Sequence, residues 1–398
     1  MLFHQLNVSG MLSFGPSGVE LPLSPLNVLI GPNGSGKSNL LDILSVLSAA
    51  PSHVIRPIRD RGGISAWLWQ GEDAPGIGRI EAQIADSERD SAVRHRLEIV
   101  DVGGRPELSD ETIEPLTGSG GTEAPLSYYR SRRGRPLLSD VDGVARELSS
   151  ATVPHDQSVL SAVRDPERYP LLDALARQYE GIRMYRNWPF GPGASIRRDV
   201  STHEPSTVLC ESASNLTLVL HHLNRRVGSK LKASLRELYE GMEDLEFEIA
   251  AGNLSLFLRE SGDRLMPASR LSDGALRYLA LLAILLSPVP PPVTAIEEPE
   301  LGLHPDVIPH IAELLLEASV RTQLVITTHS RMLIDALGSA PQGVVVCSKA
   351  QGETRFDRLT SGDLKRWLEH YSLGELWSMG QLGGNRWCGA GVGTQATC

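Results

Sequence analysis

The chain has 398 residues, of which 41% are hydrophobic and 22% are charged. This balance is typical of a folded globular protein and excludes disorder or a fibrous repeat for most of its length. With 38 basic and 48 acidic residues the net charge is −10, which argues against a protein that coats nucleic acid through its overall charge. The four cysteines include no Cys-x-x-Cys pair, so a zinc site or a redox pair has little support.

Nothing in the sequence indicates export or a membrane anchor. The N-terminus, MLFHQLNVSG, lacks the basic stretch and apolar core of a signal peptide. The longest apolar run, Tyr278 to Leu286, is far shorter than the roughly 18–20 residues that a membrane-spanning helix needs. We therefore expect a cytoplasmic protein without a membrane partner.

The first motif that carries chemistry follows an apolar run at residues 21–30, which predicts a buried strand. Residues 31–38 read GPNGSGKS, and the next twelve residues have leucines at helical spacing. A strand, a GxxxxGK[ST] loop and a helix are the context of a phosphate-binding P-loop, so a chance glycine-rich turn is a poor alternative. Glycines let backbone N–H groups face the phosphates, and the helix N-terminus adds partial positive charge. The residues predicted to bind nucleotide are Asn33, Gly34, Ser35, Gly36, Lys37, Ser38 and Asn39.

The middle of the chain is predicted from alternation, turn residues and helical spacing. Three antiparallel strands are expected over residues 78–116, a polar loop over 117–136, mainly helical structure over 137–180 and 206–241, and a hairpin over 244–260 that turns at 251–253. The loop contains a cluster of two tyrosines and four arginines at 128–135. This cluster could stack and clamp single-stranded nucleic acid, bind an acidic partner, or simply be a solvated charged loop.

Three further motifs are each unremarkable alone. Ser272 is a natural N-cap before a long apolar helix. The run Val293–Ile296 predicts a strand that ends in Glu297 and Glu298, and two carboxylates at the end of a buried strand are costly unless a cation or phosphate meets them. Another predicted strand, which begins at residue 323, ends in His329, and a lone histidine there is more often structural than catalytic.

The order and spacing of these motifs together resemble the ATPase head of the ATP-binding-cassette (ABC) class. The phrases LSDGALRYLALLAILL, IEEPELGLHP, TTHS and LGELWSMGQLGGNRW are similar to those of stand-alone AAA-type ATPases of the SMC/RecF/Rad50-like branch. The resemblance covers residues 1 to about 387. It implies an α/β P-loop NTPase fold of ABC-head type, with a mixed central sheet, an antiparallel β-subdomain, a helical insert and no long coiled coil.

The same resemblance implies ATP and Mg²⁺ as cofactors and gives roles to individual residues. Lys37 would lie between the β- and γ-phosphates, and Ser38 and Glu297 would hold Mg²⁺. Glu298 would polarise the attacking water, and His329 would contact the γ-phosphate and sense its loss. Lys37, Glu298 and His329 are thus the predicted catalytic residues.

Family members join head to tail around two ATP molecules. The resemblance therefore implies a homodimer on ATP binding, in which Ser272 and Gly274 of one protomer touch the nucleotide of the other. This chain departs from the common pattern in having Glu297 where aspartate is usual, and Asp273 and Ala275 where glycine and glutamine are common. The glutamine of the Q-loop cannot be assigned, and the candidates are Gln70 and Gln83.

The head is expected to be interrupted by an insert. Its parts are residues 1–136 as the first lobe with the β-subdomain, 137–243 as a mainly helical insert, 244–387 as the rest of the head, and 388–398 as a disordered tail. The second part of the head is expected to end with strands over 344–349 and 354–359 and a helix over 361–371.

Several functions remain open at this point. One is an ATPase whose dimer cycle acts on DNA or in defence, with a separately encoded effector. The alternative is a slow or non-hydrolysing ATP-gated scaffold for a partner nuclease in anti-phage defence. A transporter subunit is a weaker alternative, because the insert is large for that class.

Overall fold

The computed structural model describes residues 2–382 apart from 72, 87–90, 117–126, 133–134, 150, 361, 363–366 and 368–369. The helix expected over 361–371 falls largely outside the described residues, and the expected tail over 388–398 does so entirely. Of the helices that the structure does describe, none is long and apolar enough to cross a membrane.

A six-stranded mixed sheet forms the centre of the molecule. Its strands are, in spatial order, β10 (Arg183–Tyr185), β15 (Val293–Glu297), β16 (Gln323–Thr327), β3 (Leu26–Ile30), β17 (Val344–Ala350) and β18 (Glu353–Arg358). The first five are parallel, and only β18 runs antiparallel to its neighbour. Every residue of β3 and β16 is buried, as expected for apolar strands covered on both faces. The mixed central sheet is therefore confirmed.

An eight-stranded antiparallel sheet forms the β-subdomain. Its strands are, in spatial order, β2 (Val19–Pro22), β1 (Phe3–Ser9), β4 (Ile77–Asp86), β5 (Ser91–Val102), β6 (Arg105–Pro115), β7 (Tyr129–Arg132), β8 (Arg135–Ser139) and β9 (Ala145–Glu147). The three strands predicted over 78–116 are β4, β5 and β6, so that prediction is confirmed.

A smaller antiparallel sheet consists of β12 (Met242–Ala250), β13 (Asn253–Glu260), β11 (Val200–Ser201) and β14 (Arg264–Pro267). The hairpin β12–β13 turns through Ala251 (φ +50°) and Gly252 (φ +78°). Two consecutive residues with positive φ are the geometry of a two-residue hairpin turn whose twist matches the strands. The predicted hairpin and its turn are both confirmed.

In the part of the chain that the structure describes, ten α-helices pack around the sheets. They are α1 (Lys37–Ala49), α2 (Arg56–Asp60), α3 (Ile64–Trp67), α4 (Val159–Ala162), α5 (Pro170–Glu180), α6 (Leu216–Arg236), α7 (Asp273–Leu285), α8 (Ile308–Ala318), α9 (Arg331–Ala336) and α10 (Leu373–Ser378). The core has two large clusters, one containing Val28 and Ile30 with residues of α7 and α8, the other containing Leu29 with residues of α1 and the β-subdomain. Alternate residues of β3 therefore point into opposite clusters, which places the central sheet between two layers.

Two expectations for the middle of the chain are wrong. The polar loop expected over 117–136 contains β7 and the start of β8, and the mainly helical segment expected from 137 begins with β8 and β9. Buried and exposed residues alternate along β8. Over only five residues, and next to several arginines, this alternation is too short to predict a strand. The insert also supplies β10 to the central sheet, so it is not a separate helical unit.

The arginine-rich cluster over 128–135 is partly in strand β7. Tyr129 is fully buried, and burial raises the pKa of its hydroxyl far above the ordinary range. A buried ring cannot stack on a nucleic-acid base, so Tyr129 belongs to the core of the β-subdomain. Residues 133–134 of the cluster lie outside the described residues.

Candidate nucleotide-binding site

The glycine-rich loop lies between β3 and α1, as predicted, and three of its glycines have positive φ. A Cβ on Gly31 would lie 2.2 Å from the carbonyl oxygen of Cys347, and one on Gly36 would lie 2.1 Å from Oγ1 of Thr354. A Cβ on Gly34 would meet nothing within 4 Å. Gly31 and Gly36 are thus required by close packing, and Gly34 leaves the loop open where a phosphate can approach the backbone.

Lys37 is the buried cation of this loop. It is only 6% exposed, and Nζ donates to the carbonyl oxygens of Gly31 (2.7 Å) and Pro32 (3.0 Å). Burial lowers the pKa of Lys37, and Cys347 and the nearby carboxylates oppose this shift. The ammonium group is therefore held at the loop itself, where anionic oxygens would replace neutral carbonyls as its partners.

A small network of side chains supports the loop from the other side. Thr354 in β18 donates through Oγ1 to the carbonyl oxygen of Ser35 (2.9 Å) and is 2.6 Å from Oγ of Ser13. Asn39 donates to the same Ser13 oxygen at 2.6 Å. The predicted nucleotide contact Asn39 thus has a structural partner. Ser35 Oγ is buried and has no hydrogen-bond partner among the described residues, which leaves it capacity for a ligand.

The predicted magnesium ligands are in direct contact. Ser38 donates through Oγ to Oε1 of Glu297 at 2.5 Å, because the first turn of α1 and the end of β15 meet at one edge of the central sheet. Burial raises the pKa of Glu297, but hydrogen bonds from Arg186 and Ser38 outweigh it and lower the pKa overall. A hydroxyl and an ionised carboxylate are hard oxygen donors that suit Mg²⁺. The described residues include no group of three or more His, Cys, Asp and Glu that could hold a metal.

Three charged residues that the sequence motifs did not predict lie beside this pair. Arg186 donates through Nε to Oε2 of Glu297 at 3.0 Å and through Nη1 to Oδ1 of Asp42 at 2.5 Å. Arg61 also donates to Asp42. Arg186 directly follows β10, in which Tyr185 is paired with Ile296. Arg186 could have been placed beside Glu297 from the sequence only by recognising that this three-residue strand pairs with β15.

Glu298 and His329 follow adjacent parallel strands and meet at the same edge. Nε2 of His329 lies 3.6 Å from Oε1 of Glu298, and the Glu298 amide donates to the carbonyl oxygen of Thr327 at 2.9 Å. Glu298 has φ +47°, an uncommon backbone conformation for a residue with a side chain. Burial and the charge of Lys37 lower the pKa of His329. The pair therefore combines a carboxylate with an imidazole that favours its neutral form.

Glu300 joins the segment after β15 to the loop of His329. Its Oε1 accepts hydrogen bonds from Oγ1 of Thr328 (2.5 Å) and from the backbone amide of His329 (3.3 Å). Burial raises the pKa of this carboxyl group. The bonds fix the position of His329 relative to Glu298, a function that the sequence motifs did not indicate.

Residues 271–274, which by the resemblance form the signature segment of an ABC-type head, lie at the start of α7, as predicted. Ser272 accepts a hydrogen bond from the Ala275 amide at 3.1 Å, which confirms the N-cap. Arg197 stabilises this segment. It forms an ion pair with Asp273 and donates hydrogen bonds to the carbonyl oxygens of Leu271 (2.5 Å) and Phe190 (2.8 Å). The Asp273 that replaces the usual glycine thus has its own arginine partner, which balances its charge.

Gly274 has a structural reason to be glycine. A Cβ there would lie 2.6 Å from the carbonyl oxygen of Gly302 in the segment after β15. One turn later, Arg277 lies over the rings of Trp188 and Phe190 and donates to the carbonyl oxygen of Glu298 at 3.2 Å. The signature helix is therefore packed directly against the segment that carries Glu298.

The structure thus brings together Lys37, Ser38, Glu297, Glu298 and His329, but not every predicted residue. Within the part of the chain that is described, Ser272 and Gly274 take no part in the hydrogen bonds around Ser38. Neither do the two Q-loop candidates. Gln70 donates to the carbonyl oxygens of Ser65 in α3 and of Leu68, and Gln83 lies in β4 opposite Arg94.

One family model matches most of the chain. The family described as "AAA domain, putative AbiEii toxin, Type IV TA system" matches residues 26–335. The comparison with curated proteins finds no match.

Similar solved structures include two Smc head domains with coiled coils. One, from Pyrococcus furiosus, is bound to the C-terminal domain of ScpA (TM-score 0.54, 16% identity, 93% of this chain, 99% of that chain). The other is from Pyrococcus yayanosii (TM-score 0.52, 12% identity, 93% and 99%). A third match is an Smc head bound to the C-winged helix domain of ScpA (TM-score 0.53, 16% identity, 91% and 99%). TM-scores above 0.5 over nine-tenths of the chain show a shared fold, so the expected head-type α/β fold is confirmed. The described residues contain no long coiled coil.

Proposed function

The chain belongs to this AAA-domain family and is a P-loop ATPase of the SMC/Rad50-like branch, and we propose that it binds Mg²⁺·ATP at the Gly31–Ser38 loop and hydrolyses it. The observation that carries this proposal is the 2.5 Å hydrogen bond between Ser38 and Glu297, with Glu298 and His329 at the same sheet edge. Parallel strands present ligand sites at their carboxyl ends, and this edge combines the glycine-rich loop, the ammonium group of Lys37 and the carboxyl groups of Glu297 and Glu298.

Each residue of the site would have a separate role in phosphoryl transfer. Lys37, released from the carbonyls of Gly31 and Pro32, would bind the β- and γ-phosphates, and Ser38 and Glu297 would hold Mg²⁺. Bound Mg²⁺ would neutralise part of the negative charge of the phosphates. Glu298 would accept a hydrogen bond from the attacking water and orient it toward the γ-phosphorus. His329 would donate a hydrogen bond to a γ-phosphate oxygen, and Glu300 keeps its backbone in place.

We further propose that two copies of this chain complete the site as a homodimer. Ser272 is exposed at the start of α7, and a helix N-terminus on the surface is suited to contact an anion held by another molecule. In such a dimer Ser272 and the backbone of Gly274 would approach the γ-phosphate bound by the partner. The protein is proposed to act in the cytoplasm. ATP binding would close the dimer, and hydrolysis would open it.

The test of the proposed activity compares the wild-type chain with Glu298→Gln. Nucleotide binding is measured with a fluorescent ATP analogue with and without Mg²⁺, and hydrolysis is measured as phosphate release. The proposal expects Mg²⁺-dependent binding by both proteins and hydrolysis by the wild type only. A wild-type chain that binds no nucleotide at any Mg²⁺ concentration would overturn it.

A second candidate function is an ATP-gated scaffold that hydrolyses slowly and holds a separately encoded effector, such as a nuclease, in anti-phage defence. The family description, which refers to a putative toxin of a type IV toxin–antitoxin system, favours a role in defence, and two of the similar Smc heads are bound to domains of ScpA. Purification of the chain with the products of neighbouring genes, with and without ATP, distinguishes the two. An ATP-dependent protein partner supports the scaffold, whereas salt-sensitive binding of DNA by the chain alone supports a direct action on DNA.

A further inference from the structure

Arg186 makes contacts that neither the motifs nor the fold class assign. Its side chain is 11% exposed and bridges two carboxylates, Glu297 at 3.0 Å and Asp42 at 2.5 Å. A third contact, from Nη2 to the carbonyl oxygen of Ser38, is 3.4 Å long. A single guanidinium thus touches β15, the P-loop helix and the backbone of a predicted magnesium ligand.

The two oxygens of Glu297 have different partners. Oε1 accepts from the Ser38 hydroxyl at 2.5 Å, and Oε2 accepts from Nε of Arg186 at 3.0 Å. The arginine therefore occupies the oxygen that is turned away from Ser38. This division leaves Oε1, together with the Ser38 hydroxyl, as the edge that a hard cation could approach.

The length of the Glu297 side chain makes such a partner necessary. Glutamate is longer than aspartate by one methylene, about 1.5 Å, and has one more rotatable bond. An aspartate at the end of the strand would hold its carboxylate closer to the backbone and with one fewer rotatable bond. The carboxylate of Glu297 needs a second contact to stay in one orientation, and Arg186 supplies it because β10 is in register with β15.

Arg186 is itself held in place. Asp42, on α1 one turn after Ser38, accepts from both Arg186 and Arg61, and its side chain is only 15% exposed. Two carboxylates and two guanidinium groups therefore balance each other, so the cluster is neutral without a further ion. An arginine fixed at both ends by charge-assisted bonds is a rigid support rather than a mobile surface charge.

We propose that Arg186 is a positioning residue for the magnesium site, holding Oε2 of Glu297 so that Oε1 remains beside Ser38. The inference rests on the proposed function, since it concerns the metal that accompanies ATP. Arg186 acts through Glu297 and is not itself a metal ligand. Partners of this kind orient the ligands that touch a metal, and their removal commonly weakens metal affinity by about 10–100-fold.

The experiment measures the Mg²⁺ dependence of nucleotide binding, without hydrolysis, by titrating Mg²⁺ into protein and a fluorescent non-hydrolysable ATP analogue. Arg186→Met keeps the aliphatic bulk and removes both ionic contacts. It is expected to raise the Mg²⁺ concentration at half-maximal binding by about 10-fold, while binding of the analogue in EDTA changes by less than about 2-fold. Arg186→Lys keeps the charge but lacks the planar fork and should give an intermediate shift of about 3-fold.

Arg358→Met is the matched control. Arg358 is also partly buried and donates to the carbonyl oxygens of Pro22 and Gln342, so its loss costs comparable contacts elsewhere in the fold. This variant should have the wild-type Mg²⁺ midpoint even if its melting temperature falls. Melting curves in EDTA identify folded variants, and if Arg186→Met does not fold, the Arg186→Lys midpoint decides.

The outcomes separate this inference from the proposed function. If the wild type shows no Mg²⁺-dependent nucleotide binding, the proposed function fails. If the wild type shows it but folded Arg186 variants have the same midpoint, Arg186 is only structural and the inference is wrong. A midpoint below that of the wild type would also overturn it, because it would mean that the guanidinium competes with the metal instead of orienting its ligand.

Discussion

The P-loop side and the signature side of this molecule are built in contrasting ways. Around Ser38 the polar groups bond to one another, with Glu297, Arg186 and Asp42 joined in a continuous series within one chain. At the start of α7 the side chain of Ser272 caps its own helix and is otherwise exposed. The first region is complete within the protomer, whereas the second presents a helix N-terminus outward. In the proposed homodimer, the first region would bind the nucleotide and the second would contact the nucleotide bound by the other copy.

Removal of the Lys37 charge should weaken function most. Lys37→Ala deletes the buried ammonium group, and charge-assisted bonds to two phosphates are worth roughly 3–6 kcal/mol, so ATP affinity should fall by about 100-fold to 10,000-fold, and hydrolysis should be lost with it. Equilibrium binding of a fluorescent ATP analogue measures this loss. Unchanged affinity and turnover would remove the assignment of the loop.

The next effect separates binding from chemistry within the same region. Glu298→Gln keeps the size of the side chain but cannot accept a proton or polarise water as well, so hydrolysis should slow by about 100-fold or more. Nucleotide binding should remain, and the ATP-bound dimer should persist longer. Single-turnover phosphate release is the measurement, and wild-type rates would exclude this role. If Glu297 is the water-orienting residue instead, the same variant will show an altered Mg²⁺ dependence.

The third test concerns the signature side. Ser272→Arg should leave a folded monomer that binds ATP, with about 1 kcal/mol less helix capping, but it should block dimer closure and hydrolysis by placing a bulky cation at the interface. Mixing this variant with Lys37→Ala places one intact loop opposite one intact signature in the mixed dimer. Partial recovery of phosphate release on mixing is expected. Full activity of Ser272→Arg alone would mean that no second copy contributes through this face.

The smallest effect is the pH dependence of stability at His329. Its pKa is lowered in the folded chain by burial and by Lys37, so the folded state binds this proton less readily than the unfolded state does. The histidine therefore disfavours folding as the pH falls below its unfolded pKa of about 6.5, and it has no effect above that value. Between pH 7 and pH 5.5, the melting temperature of His329→Asn should fall by less than that of the wild type. Parallel melting curves for the two proteins over this range would contradict the prediction.

Features that depend on neighbouring residues in the chain could be predicted from the sequence. The glycine pattern and Lys37 identify the P-loop, because the loop's conformation and charge are encoded within eight residues. The cap at Ser272 and the turn at Ala251–Gly252 follow from the local preferences of serine and glycine. The strands over 78–116 were visible because hydrophobic alternation is a local signal.

Contacts between segments that are distant in the chain could be seen only in the three-dimensional structure. Strand β10 has three residues (Arg183–Tyr185) and becomes a strand by pairing with β15, so its pattern alone carries too little information to predict it. The pairing then places Arg186 beside Glu297, and Asp42 beside Arg186. In the same way, Thr354 supports the P-loop from more than 300 positions away. These contacts depend on strand order and register, which are set by the packing of the whole central sheet and not by any short stretch of sequence.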